Sequence, residues 1–419
     1  MHRYTLFLLL VAINILSYVD RHLLPAFASQ ISADLDLSRQ QFGLLTGFAF
    51  VTVYALSGPL MGVLADRLNA AKVIACGILL WSVMTVFTGM AKSFLQILLP
   101  RMAIGVGEAT LHPAAASILG RLFTPRYRAT VFGLFFMGSQ IGLGLAYWLA
   151  GTLGETIGWR SMFHVLGVIG IVLSALMLLA ARTTVADLDK PGLGAHGDER
   201  RSVREMLGEL IEAFRGNANF RHAVLAMSLI HMIYASGQFT QLWLVAEKAM
   251  EQSAASSLYG SVYLMCAIPS SLLGGIAADW FTRRFATTRA LFVVLVMALS
   301  GPLLIVFRLS PPGSMMFQLG MIAAVFLLAF PYGAIFSLVL DHAPASIQST
   351  AVGFTMFVAN VLVIGSGTYA IGLFADLLEA GQITAPMTRT LLGADVITLL
   401  AMLIYLKLHR ATRQSAVGA

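Results

Sequence analysis

"LFLLLVAINILSYVDRHLLPAF", Leu6 to Phe27, opens as an apolar run and then places Asp20 and Arg21 side by side near its far end. At about 1.5 Å per residue a helix of this stretch crosses a hydrocarbon core of about 30 Å. If it does so, the two charges lie at membrane depth, where each costs about 2.5 to 3.5 kcal/mol on an insertion scale. Such residues face a polar interior and a partner, so the stretch predicts both a membrane helix and a polar path beside it.

The rest of the chain agrees. Its 419 residues are 58% hydrophobic and only 11% charged, with a mean hydropathy of +0.82, well above the apolar share of soluble domains. Twelve apolar runs are read as spans, near 5–28, 42–64, 73–91, 94–120, 127–151, 160–181, 222–246, 257–278, 287–307, 314–340, 349–373 and 388–408. They are continuous and rich in Leu, Ala and Gly, without the short alternating segments of a barrel. The first run has no small-residue cleavage site followed by a soluble domain, so it is read as a retained helix. The expected class is an all-α membrane protein with twelve transmembrane helices in two pseudo-symmetric six-helix bundles.

A net charge of +7 could suggest nucleic acid, but its distribution points to a bilayer. With a cytoplasmic N-terminus, 19 of the 27 Lys and Arg fall in cytoplasmic segments. Arg39, Lys92, Arg160, Lys248, Arg308 and Arg389 fall outside, and Arg21 and Arg101 within spans. This asymmetry predicts an inner-membrane, multi-pass chain with both termini cytoplasmic. Cys76 and Cys266 lie in apolar runs and are read as buried free thiols.

Composition breaks between the sixth and seventh runs, around "DLDKPGLGAHGDERR", Asp187 to Arg201. The expected organisation is an N-terminal bundle over 1–185, a cytoplasmic linker over 186–220 and a C-terminal bundle over 221–419. In the linker, Val203, Met206, Leu207, Leu210, Ile211 and Phe214 recur at helical spacing and predict an amphipathic interfacial helix. The halves echo each other. "GVLADRLNAAK" from Gly62 matches "GIAADWFTRR" from Gly275, and "GRLFTPRYRATVFG" from Gly120 matches "LDHAPASIQSTAVG" from Leu340. Parallel six-helix repeats suit a transporter whose site lies between two bundles.

These residues also carry a family resemblance. "GVLADRLNAAK" resembles the Gly-x-Leu-Ala-Asp-Arg loop signature of the major facilitator superfamily, and "RMAIGVGEA" from Arg101 resembles its Arg-x-x-x-Gly-x-Gly motif. Within that superfamily "NILSYVDRHLLP" and "RMAIGVGEAT" look most like the Spinster branch, associated with lysophospholipid or sphingosine phosphate export. They are also similar to the organic anion and sugar acid:proton symporters. The fifth run, "GLFFMGSQIGLGLAY", lacks the Gly-Pro pair of the drug:proton antiporters. The resemblance implies that Gly62, Asp66 and Arg67 form a gating latch that stabilises an outward-facing state.

At 100° per residue Asn14, Ser17, Tyr18 and Arg21 share an arc of the first span with Asp20 just beyond, and Pro25 bends the helix near its end. Arg101, Gly105, Glu108 and His112 share an arc of the fourth, where Gly105 admits a neighbouring helix and Pro113 loosens the backbone. The expectation is a network in which Arg101 is shared between carboxylates and substrate. Asp20 and Glu108 carry the coupling proton, because burial and a mobile guanidinium push a carboxyl in opposite directions. Arg21 and His112 complete the charged wall. The C-terminal half offers no plainly intramembrane Asp, Glu, Lys or Arg on this reading. Its wall is neutral, from Tyr234, Gln238, Tyr332 and Asn360, with Gln140 and Tyr147 on one face of the fifth span.

No spacing resembles a metal site and no Gly-rich loop ends in Lys-Ser or Lys-Thr, so neither metal nor cofactor is expected. The expected activity is proton-coupled secondary transport of an anionic or amphiphilic solute of the lysolipid class by alternating access. The alternatives are a small organic anion or sugar acid:proton symporter and, in another class, a non-transporting receptor or enzyme. An enzyme would need a nucleophile or metal constellation, and none is legible. A monomer with protons, a small-molecule or lysolipid substrate and the bilayer as its partners is expected.

Overall fold

A computed structural model describes residues 3–181 and 203–417, and among these every regular element is helical. Among the described residues ten helices are long and apolar enough to cross a membrane, and an eleventh span is the bent pair Ala218–Gln238 and Thr240–Ala246. The apparent single span Thr130–Ala180 contains Gly158 at φ 72°, ψ 161°. That backbone is open to glycine and strained for other residues, so it ends one membrane helix and begins the next. The fifth and sixth spans meet there, giving the twelve helices read from the sequence.

The breaks follow backbone chemistry. The first span, Arg3–Ala26, carries Pro25 in its last turn, and the helix restarts only at Ala28. The fourth span runs from Phe94 to Glu108 and again from Leu111 to Leu122. Pro113 has no N–H for the carbonyl four residues back, which is where the interruption falls. Glu108 thereby ends a helical segment. Side chains start several helices: Asn69 accepts from the Lys72 N–H at 3.1 Å, and Ser38 and Gln41 form a reciprocal capping box.

The chain divides into two compact units, 1–195 with 239–264, and 196–238 with 265–419. In the first, small residues bring backbones together. A Cβ added at Gly142 would lie 2.5 Å from the Ile15 carbonyl oxygen, and one at Gly77 would lie 2.7 Å from that of Gly107. The segment Phe239–Leu264 is seated on this unit in the same way, since a Cβ at Gly151 would lie 2.3 Å from the Ser257 nitrogen. Gln241 exchanges hydrogen bonds with Ser29, and Ser256 donates to the Ala26 carbonyl at 2.9 Å.

In the second unit the amphipathic segment is a helix, Val203–Gly216. Leu210 is buried, and Phe214 packs edge-on against Phe220 and Phe354, while Leu207 and Ile211 are exposed. Residues 186–202 of the expected linker lie outside the described residues, and its last residues cap and begin the next helix, Ala218–Ile230. The reading of the cysteines needs correction: Cys76 is exposed on the outside of the third span and Cys266 is half-buried. Periodicity is nearly silent in that span because lipid and packed helices both accept apolar groups.

Candidate functional site

The charged residues of the first and fourth spans converge inside the first unit. Asp20, Arg101 and Glu108 are each no more than 1% exposed. Arg21 Nη2 donates to Glu108 Oε2 at 2.7 Å, with Nε at 3.1 Å from the same oxygen. Thr85 of the third span donates to Asp20 Oδ2 at 2.8 Å. Arg101 Nη2 donates to the Arg21 backbone carbonyl at 2.6 Å. The pairing thus differs from the expected one, because Arg21, not Arg101, holds the carboxylate. Helical arcs place Arg101 and Glu108 on one face but do not set the reach of Arg21 from another helix.

Aromatic rings enclose the guanidiniums. The Arg21 carbon lies 4.7 to 4.8 Å from the ring centres of Tyr18, Phe50 and Tyr54, and that of Arg101 lies 4.8 Å from Phe50. These faces attract the cations where water is scarce. Tyr54 Oη is 3.1 Å from His112 Nδ1, and the His112 ring stacks on Phe136. Gly105 makes room as read from the sequence, since a Cβ there would stand 3.0 Å from the Phe50 carbonyl oxygen.

Four polar atoms of this cluster are buried with no hydrogen-bond partner among the described residues: Asp20 Oδ1, Glu108 Oε1, and Nε and Nη1 of Arg101. Native proteins rarely leave such atoms unsatisfied, and charged ones are the most expensive to strand. The cluster therefore has acceptor and donor capacity to spend on water, a proton or an anionic group.

The other candidates form separate groups. Gln140 Oε1 accepts from Tyr263 at 3.0 Å, and Tyr147 meets Tyr259 edge-on at 4.8 Å. In the second unit Tyr234 stacks on His231 at 5.3 Å and donates to the Leu328 carbonyl, and Tyr332 lies edge-on to His231 at 6.1 Å. Asn360 donates to the Met356 carbonyl within a π-helical stretch, Val358–Gly365. Gln238 is half-buried at the last residue before the bend of the seventh span. Arg67 is exposed in the last turn of its helix, and the Asp66 side chain lies outside the described residues. A Cβ at Gly62 would meet only Pro113, at an ordinary 3.8 Å, whereas the close backbone approaches lie at Gly77, Gly105 and Gly107.

One cluster escaped the sequence reading. Arg308, assigned to the outside, is 2% exposed, and Asp395 is fully buried. Arg308 Nε donates to Asp395 Oδ2 at 2.8 Å. The C-terminal half therefore does hold intramembrane charges. A charge near a span end looks the same in sequence whether it meets water or a partner 87 residues away. Asp395 inside the last apolar run was the available signal.

The Major Facilitator Superfamily model matches residues 9–368. An MFS-type efflux pump of Mycolicibacterium smegmatis is 34% identical over 41% of this chain and 40% of its own length, so that match spans less than half of the pump. The sphingosine-1-phosphate transporter SPNS2 of Xenopus tropicalis is 24% identical over 87% of this chain and 72% of its own. A solved bacterial homologue of the lysosomal transporter Spinster, inward-facing and unoccupied, superposes with a TM-score of 0.81 at 24% identity, covering 97% of both chains. That likeness establishes the fold. A fold of twelve helices matched by the family model over most of its length places this chain in the Major Facilitator Superfamily, as a membrane transporter and not an enzyme.

Proposed function

We propose that this transporter moves an anionic, amphiphilic solute of the lysolipid class and couples its movement to protons by alternating access. The observation that carries the reading is the buried cluster in which Asp20, Glu108 and Arg101 each keep unpartnered polar atoms. The unpartnered Nε and Nη1 donors of Arg101, on different sides of its guanidinium, leave charge-assisted hydrogen bonds to offer a phosphate or carboxylate. Phe50 beside Arg101, with Tyr18 and Tyr54 beside Arg21, offers apolar ring surface near these donors for the start of an acyl chain. Similarity to SPNS2 supports a lipid-like substrate.

The proton step rests on the Arg21–Glu108 pair. With all four groups ionised, the charges of Asp20, Arg21, Arg101 and Glu108 cancel. A proton arriving on Glu108 from water removes its attraction for Arg21 and leaves a net positive site. An anion bound there restores neutrality, and charge balance therefore links proton and substrate occupancy. A conformational cycle responds because each state is favoured by the ligands it binds better. The protein acts as a monomer in the inner membrane with both termini in the cytoplasm, a placement supported by its cation distribution.

Two measurements test this. In a thermal-shift screen of lysophospholipids against sugar acids and other carboxylates, lysophospholipids stabilise the protein and Arg101→Ala abolishes the shift. Stabilisation by sugar acids alone transfers the reading to a small organic anion symporter. In proteoliposomes Asp20→Asn and Glu108→Gln, both shape-conserving, lose gradient-driven transport, and undiminished driven transport in both variants defeats the coupling.

A further inference from the structure

The Arg308–Asp395 pair has no part in the cluster around Arg101, yet it holds two charges at membrane depth. Ser236 closes the pair into a ring. Its hydroxyl donates to Asp395 Oδ1 at 3.0 Å and accepts from Arg308 Nη2 at 2.6 Å. The three residues come from the seventh, ninth and twelfth spans, namely Ala218–Gln238, Arg289–Leu309 and Pro386–Gln414. All three are buried.

Buried ion pairs are poor sources of stability, because desolvation offsets attraction and apolar packing does as well or better. What a closed ring of charge-assisted hydrogen bonds does supply is register. A shift of the seventh span by one residue turns Ser236 through 100° and breaks two of the bonds. The location gives that register a use. Two residues after Ser236 the seventh span bends by 44°, between Gln238 and Thr240. The division between the two compact units falls at the same place, after Gln238. Beyond the bend the chain is fixed again within the first unit, by the paired hydrogen bonds of Gln241 and Ser29 and by Phe239 edge-on to Phe42 at 5.4 Å.

We propose that Ser236, Arg308 and Asp395 are positioning residues that clamp the seventh span on one side of its bend, confining to Gly237–Thr240 the backbone torsion that accompanies movement of the two units. Both flanks of the bend are anchored, so within the seventh span these residues are left to absorb it, and Gly237 has the widest torsional range of any residue type. The proposal requires no particular substrate or coupling ion.

Hydrogen exchange read by mass spectrometry on the substrate-free protein in detergent tests it, so its outcome is separate from that of the transport assays. Ser236→Ala removes the bridge without stranding a charge. It should raise exchange at Met232–Gln238 by about tenfold while Gln241–Ala246 stays protected, an opening confined to one segment. Ser236→Thr, which restores the hydroxyl, should return exchange to the wild-type rate. The doubly neutral R308Q/D395N variant should reproduce the Ser236→Ala pattern. Unchanged exchange in Ser236→Ala, equal loosening on both sides of the bend, or a Ser236→Thr variant as loose as Ser236→Ala would overturn the proposal.

Discussion

Arg21 binds Glu108 through both Nη2 and Nε, while Arg101, about two turns before Glu108 in the fourth span, instead donates to the Arg21 backbone. The first and fourth spans are thus joined twice at one residue, once through its side chain and once through its carbonyl. Arg21 is the joint. Its side chain is 19% exposed against 1% for Glu108, so Glu108 depends on this partner more than the reverse.

Arg21→Ala should therefore destabilise the protein, because it leaves Glu108 buried without its hydrogen-bonded partner. Removing one partner of a buried pair costs about 3 to 5 kcal/mol, and the partial exposure of Arg21 argues for the lower end. The double variant Arg21→Met with Glu108→Gln should recover most of the loss. Thermal unfolding in detergent distinguishes them, and a double variant no better than the single one contradicts the assignment.

Glycine contacts predict a sharp contrast in the first unit. Gly77→Ala pushes a methyl to 2.7 Å from the Gly107 carbonyl oxygen and 2.1 Å from Thr110 Oγ1. Overpacking of this kind costs about 1 to 3 kcal/mol. Gly62→Ala meets only Pro113 at 3.8 Å and should melt close to the parent. The comparison needs only melting curves, and equal effects would remove the distinction.

The seat of Phe239–Leu264 offers a third test. A Cβ at Gly151 would overlap the Ser257 nitrogen at 2.3 Å, and one at Gly260 the Trp148 nitrogen at 2.4 Å. Gly151→Val should lift this segment from the fifth span. A cysteine placed at Ser257 in a Cys76→Ala, Cys266→Ala background should then react with a membrane-impermeant maleimide several times faster. Identical labelling rates would show that the segment tolerates the overlap.

Acid stability should report the polar tie at the first loop. Asp34 Oδ2 accepts from Trp159 Nε1 at 2.9 Å and pairs with Arg160, whose Nη2 also donates to the Ala91 carbonyl. Arg160 first, then Trp159, hold the Asp34 carboxyl below its ordinary range. A depressed folded value stabilises the protein above the unfolded pKa of about 3.9 and loses that contribution as pH falls through the folded value. Asp34→Asn should thus melt lower than wild type at neutral pH, by under about 1 kcal/mol for so exposed a pair. The gap should close as the medium is acidified below pH about 4. A gap independent of pH would assign the effect to the Trp159 hydrogen bond alone.

Hydropathy marked out the twelve spans, because a bilayer imposes length and polarity on each helix separately. The breaks were equally local: Pro25, Pro113 and the amphipathic Val203–Gly216 act within their own segments. Asp20, Arg21, Arg101 and Glu108 stood out for the same reason, as charges inside apolar runs. Which of them pair was a different matter, since Arg21 reaches Glu108 only through the way the first and fourth spans come together in the fold. Arg308 and Asp395 show the limit most clearly. In sequence one is an ordinary cation at a span end and the other a lone acid in an apolar run. Only the tertiary structure brings them within 2.8 Å, where their charges cancel and the membrane tolerates both.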